Sequence, residues 1–203
     1  MSPASDFCAR SRTAKRLEAE GYPLRIAINV SGRLLTDRRF VETTMEILQQ
    51  APNRISFEIT ESAAIDDWKI ALHHLKLFAN AGVRISIDDY GAGVSSLAYV
   101  QQLPAQELKI DRSFISHLTH SHRDPLLVRS TIELGHALEL EVVGEGVEDA
   151  ETLALLSMMG CDLVQGYFIG YPMPLDELLE FLRSDELKER IRPPSAMHFG
   201  VAV

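Results

Sequence analysis

Cysteine is nearly absent: Cys8 and Cys161 are the only two among 203 residues. They make neither a disulfide framework nor a metal-spacing motif, so reduced thiols and a cytoplasmic location are expected. Basic charge is also in short supply, with 20 Lys and Arg against 29 Asp and Glu and a net charge of −9. A general nucleic-acid surface is normally basic, which excludes DNA as the expected partner. A small phosphorylated ligand stays allowed, because a bound metal can reverse the local field. No apolar run approaches the roughly 18 residues needed to span a bilayer, so no membrane segment is expected. The first eight residues lack the basic-then-apolar pattern of a signal peptide. The chain also has no Gly-rich dinucleotide fingerprint, and no Ser–His or Cys–His pairing that would support a protein nucleophile.

What is present is a repeating order. Hydrophobic residues make up 46% of the chain, enough to bury the core of a globular domain. Strand-like runs fall at 24–30, 54–60, 83–89, 107–111, 141–145 and 162–167. Helical patterns lie between and after them, at 37–50, 65–80, 95–102, 124–139, 149–159 and 174–190. Asp37 suits an N-cap, and Gly82 and Gly160 suit helix ends. Strand and helix in alternation mean a parallel α/β sheet with right-handed crossovers, either doubly wound or closed into a barrel.

The polar residues discriminate. Asn29, Glu58, Asp88, Lys109, Glu145 and Gln165 each stand at or near the end of a different strand run. In a barrel those ends share one face, where function is built, so a TIM-type (β/α) barrel is the expected fold. By itself, Asp88-Asp89-Tyr90-Gly91 reads equally as an acidic turn or as a divalent-cation site, since adjacent carboxylates repel without a cation or proton between them. Taken with Glu58, Glu145 and Asn29, the oxygen donors favour Mg²⁺ or Mn²⁺ over zinc. Lys109 is suited to orient water or neutralise phosphate charge. The histidines at 117, 120 and 122 and the pair His73-His74 read as solvated surface, Trp68 as packing, and Cys161 as a small buried residue.

These segments resemble the EAL domain family. They are Asn29-Val30-Ser31, Glu58-Ile59-Thr60-Glu61-Ser62, Asp88 through Leu97, Lys109-Ile110-Asp111-Arg112-Ser113-Phe114, Glu145-Gly146-Val147-Glu148, and Gly160 through Tyr167. They keep the family's order and spacing across residues 12–183. The resemblance implies a TIM barrel that hydrolyses cyclic di-GMP to linear pGpG with two Mg²⁺ or Mn²⁺ ions. It implies that Asn29, Glu58 and Asp88 hold one metal, and that Asp88, Asp89 and Glu145 hold the other. Lys109, Glu145 and Asp89 then form the catalytic set, with Lys109 at the attacking water. By the same resemblance Glu61 is expected to anchor the loop after the double Asp, a loop that in the family couples dimerisation to activity, and Gln165, Asp111 and Glu148 are expected to support the site.

The chain departs from the family pattern in several places. The Glu-Ala-Leu strand is missing, so the barrel is expected to lack its first strand or strands and the two-metal site to be impaired. Tyr90 replaces the usual Phe, Ala92 and Val94 replace common Thr and Tyr, and Gly144 replaces Ala. Residues 1–20 are read as a helical remnant of the truncated start, 21–190 as the barrel domain and 191–203 as a disordered tail. An open sheet edge calls for cover by a homodimer or a partner protein. The expected function is a cyclic di-GMP phosphodiesterase. The alternatives are a catalytically degenerate sensor or protein-interaction module, and an inert fragment that folds only with another chain.

Overall fold

Apolar alternation sets the strands. In β2 (Ile55–Thr60), Ile55, Phe57 and Ile59 are buried against the helices, while Ser56, Glu58 and Thr60 point the other way, as a period of two requires. The computed structural model describes residues 3–49, 54–60, 67–91, 97–191 and 200–201. They fall into two compact units that meet in sequence between Glu107 and Leu108.

The first unit holds α1 (Pro3–Ala19), β1 (Ile26–Asn29), α2 (Gly32–Leu35), α3 (Arg38–Leu48), β2, α4 (Trp68–Asn80), β3 (Arg84–Tyr90) and α5 (Leu97–Val100). Its strands lie parallel in sequence order, with Asn29 paired to Glu58 and Thr60 to Asp88. Phe57 packs edge-on against Phe78 of α4 at 5.0 Å and against Phe7 of α1 at 5.9 Å. All three rings are fully buried. Burying each contributes about 1.5–3 kcal/mol, with a further increment for the edge-to-face geometry, so this cluster fastens helices to one side of the sheet. Asp37 caps α3 as the sequence indicates, accepting from Arg39 N at 2.9 Å and Phe40 N at 3.2 Å. Trp68 packs against Tyr99, ring centroids 4.1 Å apart and tilted by 37°, the packing role expected of it. His74 departs from the solvated reading: its Nδ1 lies 2.6 Å from the Leu35 carbonyl and ties α4 to α2.

The division falls inside β4 (Glu107–Ile110), whose first residue, Glu107, still belongs to the first unit; the second unit continues from Leu108 with α6 (Arg112–Ile115), α7 (Asp124–Ala137), β5 (Glu141–Glu145), α8 (Ala150–Met158), β6 (Leu163–Gln165), α9 (Leu175–Arg183), α10 (Glu186–Arg190) and β7 (Gly200–Val201). Strands follow sequence order again, and β5, β6 and β7 pair in parallel. Its core includes Ile110, Val128, Ile132, Val142, Val147, Leu156 and Val164. Helix α7 approaches β5 closely because Gly135 has no side chain. A Cβ there would lie 2.4 Å from Val142 Cγ2.

The single helix expected over 174–190 is two. Ser184 takes an extended ψ of 163°, its hydroxyl donates to the Phe181 carbonyl at 2.7 Å and accepts from Glu186 N at 3.3 Å. A serine hydroxyl that bonds local backbone competes with helix propagation.

Candidate functional site

In the first unit the sheet has two chemically distinct faces. In-register neighbours in a parallel pair share a face, so Asn29, Glu58 and Ser86 line up across the three strands, with Thr60 and Asp88 one step further on. Lower on this face Arg84 Nε pairs with Glu107 Oε2 at 3.2 Å, and Ser86 Oγ donates to Glu107 Oε1 at 2.8 Å. A polar sheet face in a chain whose other sheet face is Ile and Phe has a purpose other than core packing. Asn29 is exposed, while Glu58 and Asp88 are partly buried.

Asp89 breaks the alternation. A strand continued regularly would send Asp88 and Asp89 to opposite faces, but Asp89 has a φ of 56°, a left-handed conformation that Asp tolerates better than most residues. Its N–H donates to Asp88 Oδ1 at 3.1 Å, and a carboxylate oxygen of each lies within 4.8 Å of the other. The kink therefore gathers two carboxylates that sequence position alone would separate. Of the alternatives open for this stretch, the backbone adopts a turn geometry that also assembles a donor pair.

The second unit carries polar strand ends of its own. Lys109 of β4 is buried, with 3% of its surface exposed, and its Nζ meets Glu145 Oε1 at the end of β5 at 2.5 Å. Burial of an ammonium requires such a partner. Glu145 pairs in register with Gln165 at the end of β6. Beyond Glu145 the chain turns through Gly146, at φ 76°, into Val147, whose N–H donates to the Gln165 carbonyl at 3.1 Å and whose carbonyl accepts from Phe168 N at 3.0 Å. Glu148 is exposed and ion-pairs with Arg112 at 2.5 Å. Asp111 caps α6, accepting from Ser113 N at 3.0 Å and from the Ser113 hydroxyl.

Each unit thus brings its own share of the expected residues together: Asn29, Glu58, Asp88 and Asp89 in one, Lys109, Glu145, Gln165 and Glu148 in the other. Glu61 and the stretch 92–96 lie outside the described residues. Arg112 and Gly146 stand next to expected site residues, yet the sequence assigns them no role, because an exposed Arg after a strand carries no periodic signal. Tyr167 and Tyr171, both exposed, stack at 4.6 Å just past β6. Cys161 is buried and desolvation pushes its thiol up to about 12, so it is an inert core residue, as the sequence indicates. Among the described residues, no helix is long and apolar enough to cross a membrane.

Comparison with known proteins gives a consistent picture. The chain matches the EAL domain over residues 3–172. It is 40% identical over 157 residues, 76% of its length, to "Bifunctional diguanylate cyclase/cyclic di-GMP phosphodiesterase MucR" of Pseudomonas aeruginosa. It is 39% identical over 177 residues, 85% of its length, to "Cyclic di-GMP phosphodiesterase NbdA" of the same organism. In both it spans 23% of the relative. Among solved structures it resembles "PaMucR Phosphodiesterase, c-di-GMP complex", with a TM-score of 0.81, 36% identity, and coverage of 86% of this chain and 72% of that one. It also resembles the EAL domain of Mycobacterium smegmatis DcpA, with a TM-score of 0.80, 33% identity, and coverage of 89% and 81%. The TIM-type (β/α) fold expected from the sequence is borne out as part of such a barrel, its parallel strands in sequence order in each unit.

Proposed function

The chain belongs to the EAL domain family, and on that premise we propose that it is a metal-dependent phosphodiesterase domain that hydrolyses cyclic di-GMP to linear pGpG. The observation that carries this reading is the set of oxygen donors at or near the C-terminal ends of the strands: Asn29, Glu58 and Asp88 on one sheet face, and Glu145 held by a buried lysine. Carboxylate and amide oxygens fit hard divalent cations, and the left-handed kink at Asp89 answers what a paired-metal site needs, two carboxylates side by side. In this reading Asn29, Glu58 and Asp88 hold one Mg²⁺ or Mn²⁺, and Asp88, Asp89 and Glu145 hold the other. When bound, the two cations supply charge neutralisation at the phosphate and activation of a water.

The chain's own groups do the remaining work. Lys109, fixed by Glu145, orients the attacking water and offsets charge developing on the phosphoryl oxygens. Gln165, in register with Glu145, buttresses that carboxylate, while Asp111 supports the segment carrying Lys109 by capping α6. Glu148 supports the turn behind Glu145. Glu61 anchors the loop after the double Asp. The working form is a cytoplasmic homodimer or a complex with a partner protein, in which residues 21–190 are the barrel domain.

The test is direct. The chain, incubated with cyclic di-GMP and Mn²⁺ or Mg²⁺, yields pGpG by chromatography, stops when EDTA is added, and loses turnover in Asp88→Asn. Undiminished turnover in Asp88→Asn sinks the metal assignment. Calorimetric binding of cyclic di-GMP without hydrolysis identifies a sensor instead of an enzyme.

A further inference from the structure

Lys109 and Arg112 belong to one short segment at the end of β4, and both reach the same turn after β5. Lys109 grips Glu145 at the start of that turn. Arg112 covers its middle and grips its end. A Cβ on Gly146 would lie 2.3 Å from Arg112 Cγ and 2.9 Å from Arg112 Cβ, so the Arg112 stem rests directly on the Gly146 backbone. Its guanidinium meets Glu148 Oε1 at 2.5 Å. The opposite side of the turn is pinned by Val147, through its backbone hydrogen bonds to Gln165 and Phe168. The start of the Arg112 segment is itself fixed by the Asp111 cap.

We infer that Arg112 is a positioning residue: by clamping the Gly146–Glu148 turn against the end of β4, it sets where Glu145 stands relative to Lys109. This rests on the reading of Lys109 and Glu145 as site groups given above. The alternative is that Arg112–Glu148 is an ordinary surface ion pair. Both side chains are about half exposed, 57% and 47%, and exposed pairs contribute little to stability. That exposure makes the two roles separable, because removing the pair leaves the fold intact while releasing the turn.

The experiment compares Arg112→Ala and Arg112→Lys with the parent chain on three readouts. Circular dichroism melting checks the fold, which is expected to be unchanged. In the metal-free chain, the ¹⁵N resonance of the Lys109 ammonium reports its pairing with Glu145; it is expected to move in Arg112→Ala and to return toward the parent position in Arg112→Lys, whose stem still covers Gly146. With metal, the Mn²⁺ concentration for half-saturation, followed by electron paramagnetic resonance without substrate, is expected to rise about tenfold or more in Arg112→Ala, as for other groups that orient a metal ligand. An unmoved Lys109 resonance in folded Arg112→Ala overturns the inference whether or not the chain binds metal. A moved resonance in a chain that binds no Mn²⁺ at all keeps the clamp and defeats the metal reading, so the two failures are distinguishable. Should Arg112→Ala fail to fold, Arg112→Ser, a polar replacement at an exposed helix start, removes both the stem over Gly146 and the ion pair, and an unmoved Lys109 resonance there overturns the inference equally.

Discussion

Replacing Gly166 by Ala is the sharpest test of how the second unit holds its turn. Gly166 is not among the positive-φ glycines, so the requirement for glycine is one of space. A Cβ there would lie 2.2 Å from the Val147 carbonyl oxygen, 2.3 Å from its nitrogen and 2.7 Å from its carbonyl carbon. All three are backbone atoms and cannot rotate aside. Reaching an ordinary contact needs a separation larger by about 1 Å. That movement breaks or stretches the bonds from Val147 N to the Gln165 carbonyl, 3.1 Å, and from Phe168 N to the Val147 carbonyl, 3.0 Å. Two weakened hydrogen bonds and the overpacking together cost about 2–4 kcal/mol. For a chain of this size that lowers the melting temperature by roughly 5–15 °C. Calorimetric or dichroic melting in EDTA measures it without any contribution from metal. Gly144→Ala is the control: its Cβ would meet Leu156 Cδ1 at 2.8 Å, the end of a side chain rather than backbone, and the cost is about 1 kcal/mol, the low end for added core volume. If Gly166→Ala melts within the error of Gly144→Ala, the steric account of the turn is wrong.

Three further outcomes follow from the geometry. Asp37→Ala removes the two bonds that cap α3 and lowers unfolding free energy by about 1 kcal/mol in urea titration. With a disulfide reagent at pH 8, the native chain is expected to titrate one thiol, the partly exposed Cys8, while Cys161, whose thiol burial pushes up to about 12, reacts only after denaturation; prompt reaction of both contradicts its burial. Arg54 bonds Glu18 at 2.7 Å and holds its carboxyl below the ordinary value of 4.5. A carboxyl lowered on folding adds stability above its unfolded value and loses it as pH falls through the folded one. The difference in melting temperature between the parent and Glu18→Gln is therefore small and positive at neutral pH, and it shrinks as the pH is taken below 4.5. A difference independent of pH removes the ion pair as its cause.

Much of the architecture could be read locally. Strand positions followed from runs such as Val83, Ile85 and Ile87, the α3 start from Asp37, and the polar strand ends from single residues interrupting apolar patterns, because period and capping are properties of neighbours in the chain. The motif order was enough to point to the EAL domain family, which the match over residues 3–172 bears out. Where local reading failed, the deciding contact lay elsewhere: His74 finds the Leu35 carbonyl 39 residues away, and the helix expected over 174–190 divides where the Ser184 hydroxyl takes the Phe181 carbonyl.

The amino-acid sequence by itself determined the alternating elements and which residue types stand at each strand end, since both depend on spacing along the chain. Only the tertiary structure decided how those residues are aimed. The left-handed Asp89 turns its carboxylate toward that of Asp88 against the strand's own period. Lys109 is buried because Glu145 receives it, and Arg112 finds Gly146 and, 36 residues along the chain, Glu148. Such aim depends on packing between segments distant in sequence, which no local pattern encodes.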